Sequence, residues 1–170
     1  MENLLLLLAG SIVLRLSSSP KSKLQFIGET GCSVLVHGDK HFDQCKTPSG
    51  DTLHVHECSE GKVGYGVICI ALQENYDPSH AVNMLAAYMK RLKGPFSIFH
   101  STGLVPGTDW NAPGSESLVD YWQDAEGRDW KVKGYTNGRC LAVLYVRNIG
   151  QLSTERQEQF LDSFHFGPAR

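Results

Sequence analysis

Between Glu116 and Asn148 the sequence ESLVDYWQDAEGRDWKVKGYTNGRCLAVLYVRN sets out three strand-like runs separated by two turn signals, Glu126-Gly127 and Asn137-Gly138. The Asn-Gly pair predicts a two-residue type I′ hairpin, because that turn needs positive φ at both central residues. In the middle run, Trp130 and Val132 alternate with Asp129, Lys131 and Lys133, the period of a strand with one wet face. The third run, Cys140 to Val146, is apolar throughout, which predicts a central strand covered on both faces.

Cys32 to His37 predicts a short strand, and His41 to Gly50, with Pro48 and Gly50, a loop. In Asp51 to Cys58, Leu53 and Val55 fall on one face and His54 and His56 on the other. A Ser59-Glu60-Gly61 turn leads into Gly64 to Leu72, a second strand apolar on both faces. Asp77 to Lys93 is the clearest helix: Asp77 can cap it, Pro78 suits its first position, and Gly94-Pro95 ends it. Its apolar stripe is Ala81, Met84, Leu85, Tyr88 and Leu92. Phe96 to Thr102 predicts another strand, Gly103 to Ser115 a long loop, and Ser153 or Thr154 the cap of a last helix with Phe160, Leu161 and Phe164 on its apolar side. The order β-β-β-α-β-β-β-β-α, with hairpin-joined strands, predicts an α+β fold: an antiparallel sheet flanked by helices in an α/β sandwich.

Length and composition change this picture little. A chain of 170 residues with a formal charge of −2 has room for one ordinary core, and no basic stripe marks a nucleic-acid surface. The pattern predicts an apolar N-terminal segment (1–20), a linker (21–30) in which Leu24, Phe26 and Ile27 can form a short edge element, and one domain (31–170). The Leu4–Leu14 run is too short for an integral membrane span. It fits either a signal-peptide core, implying export to a periplasmic or extracellular space, or an N-terminal core helix of a cytoplasmic protein. Five cysteines leave the compartment open: Cys69 and Cys140 sit in apolar strands as small hydrophobes, while Cys32, Cys45 and Cys58 lie near strand ends and could pair in an exported chain.

The GKVGYGVICIAL strand, the helix after it, the WKVKGYTNGRCLAVLYV hairpin and the closing FLDSFHF together resemble the PsbP-like superfold. That superfold is shared by an extrinsic subunit of photosystem II, a Ran-binding nuclear import factor and many bacterial exported proteins. The resemblance covers roughly Gly31 to Phe166 and rests on core and turn residues. It implies a binding or assembly protein and carries no active site. The GLVPGTDWNAPGS loop and the abundance of His depart from the family pattern.

Candidate chemistry is sparse. His54 and His56, two apart on a strand, project to one face and form a candidate metal pair against the alternative of a solvated surface. Neither a nucleophile elbow nor a phosphate or dinucleotide loop occurs, so no cofactor is expected. Asp120 and Asp124 share a strand face and read as unpaired surface carboxylates. In the 103–115 loop, Trp110 stands between Pro106-Gly107 and Pro113-Gly114 with Asp109 and Asn111 beside it. A long loop presenting an aromatic suits a protein partner, although the same Trp could fold back over the sheet. The sequence thus points to a non-enzymatic protein-interaction or assembly domain using this loop and the adjacent sheet edge, with a small metal-binding protein or metal-dependent hydrolase built on His54 and His56 as the alternative.

Overall fold

The two runs that are apolar on both faces lie side by side at the middle of the sheet. In the computed structural model, which describes residues 22–38, 41–108 and 114–167, these are β5 (Val63–Ala71) and β10 (Cys140–Arg147), paired antiparallel from Cys140↔Ala71 to Arg147↔Gly64. Hairpin connections place the neighbours. On one side β5 pairs with β4 (Thr52–Glu60) and β4 with β3 (Asp43–Lys46). On the other, β10 pairs with β9 (Asp129–Thr136), β9 with β8 (Glu116–Asp124), and β8 with both β6 (Ile98–Ser101) and the two-residue β7 (Val105–Pro106). The result is an eight-stranded antiparallel sheet in the order β3-β4-β5-β10-β9-β8-β6, with β7 attached to β8. Residues 23–26 of the expected linker are β1 (Lys23–Phe26), which pairs with β2 (Ser33–Val36) in a separate two-stranded sheet. Part of the expected 41–50 loop is β3.

Each face of the large sheet has its own cover. Helix α1 (Pro78–Leu92) packs Leu85, Met89 and Leu92 on Ile68, Ile70, Leu141, Val143, Trp122, Trp130 and Val132. Asp77 caps it, accepting from the His80 amide at 3.0 Å. Of the expected apolar stripe, Ala81, Leu85 and Leu92 are buried and Met84 and Tyr88 flank the core, while Met89, outside that stripe, is wholly buried too. Gly134 makes this packing close, since a Cβ there would stand 2.6 Å from the Met89 sulfur.

The opposite face is covered by the β1–β2 hairpin and helix α2 (Thr154–Leu161), which bury Ile27, Val34, Val36, Phe160, Leu161 and Phe164 against Tyr65, Val67, Tyr135, Ala142 and Leu144. This cover corrects the wet face expected for β9. Lys131 pairs with Glu158, and Lys133, only 6% exposed, pairs with Asp162 at 2.5 Å. The lysines tie α2 to the sheet instead of facing solvent, and their methylene stems allow it.

The Asn-Gly connection also differs from the expected turn. Asn137 does not take positive φ; its side-chain oxygen accepts from the amides of Arg139 and Cys140 at 3.1 and 3.0 Å, an Asx-type closure of a longer loop. Gly138 does have φ +81°, and a Cβ there would collide with the Tyr76 carbonyl at 2.1 Å. The Tyr76 amide donates to the Gly138 carbonyl at 2.9 Å, so this turn is shaped by the segment preceding α1.

No helix among the described residues is long and apolar enough to cross a membrane. The expected N-terminal apolar segment lies outside the described residues.

Candidate functional site

Strand β4 alternates as its sequence demands, with Leu53 on the α1 side and His54 and His56 on the other. That second face is not open to water. His54 and His56 are 3% and 7% exposed, because the β1–β2 hairpin and Phe42 lie over them. Gly28, at φ +50°, crosses the His54 ring so closely that a Cβ would stand 2.3 Å from it. His56 Nδ1 lies 2.8 Å from the His41 carbonyl oxygen and so donates its proton there, and the ring packs 5.3 Å from that of Phe42. Its Nε2 is buried without a hydrogen-bond partner among the described residues. Burial lowers the basicity of His54, opposed by the nearby Cys32 sulfur.

Register then brings His54 to a feature that sequence reasoning missed. The Glu60↔Val63 pair beside the β4–β5 turn carries the pairing back to His54↔Cys69, so the two side chains share the covered face. Ala142 pairs with Cys69 on the other side, which puts Cys140 one diagonal step away. Their sulfurs are 3.2 Å apart. Cys32, just before β2, comes down from above: its carbonyl accepts from the Ile27 amide and its own amide donates to Thr30 Oγ1. The three sulfurs lie within 4.8 Å of one another, and all three residues are buried. All five cysteines are free thiols; Cys45 and Cys58, set beside Cys32 in the sequence reading as pairing candidates, are only partly buried.

The three thiols share protons unequally. Hydrogen bonds from Cys140 and then Cys69 push Cys32 down to about 3. Cys140 is correspondingly pushed well up by Cys32, by Cys69 and by burial. Cys69 gains some relief from its bond with Cys140, yet Cys32 and burial hold it well above the ordinary thiol value.

Asp120 and Asp124 share a face as expected, but it is the buried one. Asp120 is 0% and Asp124 1% exposed. Asp120 accepts from Trp122 Nε1 at 2.7 Å, from Ser101 Oγ and from the Gly103 amide, and pairs with Lys93 at 3.0 Å. Asp124 accepts from Trp130 Nε1 at 2.8 Å and Arg128 Nε at 2.7 Å, while its other oxygen accepts from the amides of Glu126 and Arg128 and closes the β8–β9 turn. Each carboxylate thus anchors one indole and one cation. The sequence signal was available in the spacing: on a strand, Asp120 and Trp122 must lie on the same side.

The loop flanked by β7 and β8 is fixed at both ends. Val105 pairs with Val119, the Gly107 amide donates to the Ser117 carbonyl at 2.8 Å, and Lys133 Nζ donates to the Thr108 carbonyl at 3.1 Å. Asp109, Trp110 and Asn111 lie outside the described residues. Beside the loop, the helical cover ends before the sheet does. Phe99, Val105 and Tyr121 are 67%, 53% and 42% exposed, and a shallow cleft of about 200 Å³ runs past His100, Thr102, Tyr121 and Gln123.

No protein-family model and no curated protein matches the chain.

Proposed function

We propose that this is a non-enzymatic protein-interaction domain of the PsbP-like kind, exported from the cytoplasm, which holds an extended segment of a partner protein against β6–β8 and the 103–115 loop. The observation that carries this reading is the apolar end of the sheet left open next to that loop. Phe99, Val105 and Tyr121 stand exposed at β6, β7 and β8, and large exposed apolar side chains grouped at one edge favour a docking role over a purely solvated one. Two short strands, β6 and β7, share the neighbour β8 along this edge. Their outward backbone groups are suited to receive another strand, the means by which many domains capture extended peptides. Trp110 supplies an aromatic anchor, with Asp109 and Asn111 as its polar neighbours.

Pull-down from the native host followed by binding measurements on the captured partner tests this. Trp110→Ala and the double variant Phe99→Asp/Val105→Asp are expected to weaken capture about tenfold or more while leaving the melting temperature nearly unchanged. Unaltered capture by both variants would refute the docking surface. A large loss of stability in Trp110→Ala would instead make that residue a lid over the sheet.

The alternative reading, metal binding through His54 and His56, has less support: among the described residues the converging ligand atoms are those of Cys32, Cys69 and Cys140, although His56, donating its Nδ1 proton to the His41 carbonyl, keeps Nε2 for a ligand.

A further inference from the structure

We propose that Cys32, Cys69 and Cys140, completed by His54, form a site for a thiophilic divalent cation of the zinc type, which staples the β1–β2 hairpin to the central sheet. This goes beyond the docking reading and does not depend on it.

The convergence of ligand atoms is the first support. Three sulfurs from three distant parts of the chain lie within 4.8 Å of one another, with Cys69 and Cys140 at 3.2 Å. A tetrahedral zinc with bonds of about 2.3 Å to sulfur sets its sulfurs about 3.8 Å apart. The two strand thiols, at 3.2 Å, must separate slightly to reach that geometry. Soft thiolates select zinc, copper(I) or iron–sulfur centres over hard cations such as magnesium and calcium.

The fourth ligand follows from register. His54 is the direct cross-strand partner of Cys69 on the covered face, and imidazole with three thiolates is a standard closed zinc set. The ring nitrogens stand outside the 4.8 Å triad, so ligation requires the His54 side chain to turn toward the sulfurs. On binding, each thiol that still holds a proton releases it to solvent as its sulfur bonds the metal. Imidazole joins as the neutral ligand.

The fold also supplies a reason for a staple. The β1–β2 pair is a sheet of two strands, and such pairs are marginal in water unless something else holds them. Cys32 is the residue that this hairpin offers to the central strands, while β5 and β10 provide Cys69 and Cys140. The approach above the site is built for close packing: a Cβ on Gly167 would stand 2.6 Å from the Gly31 carbonyl carbon and oxygen, so two glycines let the C-terminal segment and the hairpin turn meet over Cys32. A disulfide between Cys69 and Cys140 would join only β5 to β10, strands already paired over eight residues, and would leave Cys32 unused.

The test uses the full chain, purified without an affinity tag, stripped with chelator and kept reduced. Cobalt(II) is the probe. The expected result is a sulfur-to-cobalt charge-transfer absorption that saturates at one cobalt per chain and is abolished by zinc. Zinc should raise the melting temperature and slow amide exchange in residues 23–36. Cys32→Ser, which lies outside the central strands, should weaken cobalt binding about tenfold or more, and His54→Ala should weaken it and alter the visible bands. Cys45→Ser and Cys58→Ser should change nothing. Absence of the charge-transfer band in reduced wild-type protein would overturn the site, as would equal loss in the Cys45 and Cys58 variants. So would a Cys69–Cys140 disulfide in the isolated protein combined with no metal uptake after reduction. Should Cys32→Ser fail to fold, the zinc-dependent shift in melting and exchange of the wild-type chain decides alone, and no shift refutes the staple.

Discussion

Replacing Leu144 by Ala is expected to lower the unfolding free energy by about 2–5 kcal/mol. Leu144 is 0% exposed and lies on β10 between Val67 of β5 and Lys133 of β9, in the cluster closed by Tyr135, Phe160, Leu161 and Phe164. Strands on both sides fix the backbone, so the cavity left by the lost carbons has little freedom to collapse, and the cost belongs in the upper part of that range. Leu24→Ala supplies the contrast. It removes the same atoms from an edge strand where the side chain is 56% exposed, and should change stability by no more than about 0.5 kcal/mol. Urea unfolding of the two variants, with the slopes compared, measures both. A loss below about 1 kcal/mol for Leu144→Ala would contradict the packing described for this face.

What the sequence made legible follows from where the physics is local. Two-faced apolarity located β5 and β10 at the centre, since only a strand covered on both sides tolerates VGYGVICIA or CLAVLYV. Asp77, Pro78 and Gly94 marked the limits of α1 because capping and proline effects act within a turn. Several misjudged positions are decided by partners far away in the chain, whereas Asp120 and Asp124 were misread although Trp122 and Arg128 stand two and four residues on. Lys131 and Lys133 read as a wet face because a lysine's preference says nothing of Glu158 and Asp162, which arrive on α2. Asn137-Gly138 read as a tight turn because Tyr76, which shapes it, precedes α1. The thiol cluster was hardest to see. Cys69 and Cys140 each looked like a small core residue, and their convergence with Cys32 depends on a hairpin folding back across the sheet. His54 was singled out, but for the face it shares with His56 and not for the cysteine across from it. The register from the β4–β5 turn could have paired His54 with Cys69; nothing local could have added Cys32.

Asp120→Ala is expected to cost about 3–5 kcal/mol, the range found when one partner of a buried ion pair is removed and the other is left behind. The carboxylate is wholly buried and gathers Trp122 Nε1, Ser101 Oγ, the Gly103 amide and the Lys93 ammonium. Truncation leaves the Trp122 N–H without an acceptor and Lys93, which also lies 5.8 Å from the Trp122 ring centre, without its counter-ion. Asp120→Asn retains a carbonyl acceptor for the indole but not the charge, and should cost less than the alanine variant. Acid provides an independent readout. Burial by itself would raise the Asp120 carboxyl, but the hydrogen bonds from Trp122, Lys93 and Ser101 outweigh it and hold the group below the ordinary carboxylate range. With the folded value depressed, the unfolded chain binds the proton first. The stabilisation is therefore fully present above the unfolded carboxylate value of about 3.9 and is lost as pH falls below it toward the folded value. Asp124, held down by Arg128 and Trp130 against burial, adds a contribution of the same sign. Wild-type protein should accordingly lose stability steeply on acidification below about pH 4, and Asp120→Asn less steeply, because one of the two titrating carboxylates is gone. Denaturant midpoints collected between neutral pH and about pH 3 for the two proteins compare the slopes directly. Parallel curves would show that Asp120 does not carry the linkage, and would remove the ion pair with Lys93 as an anchor of β8.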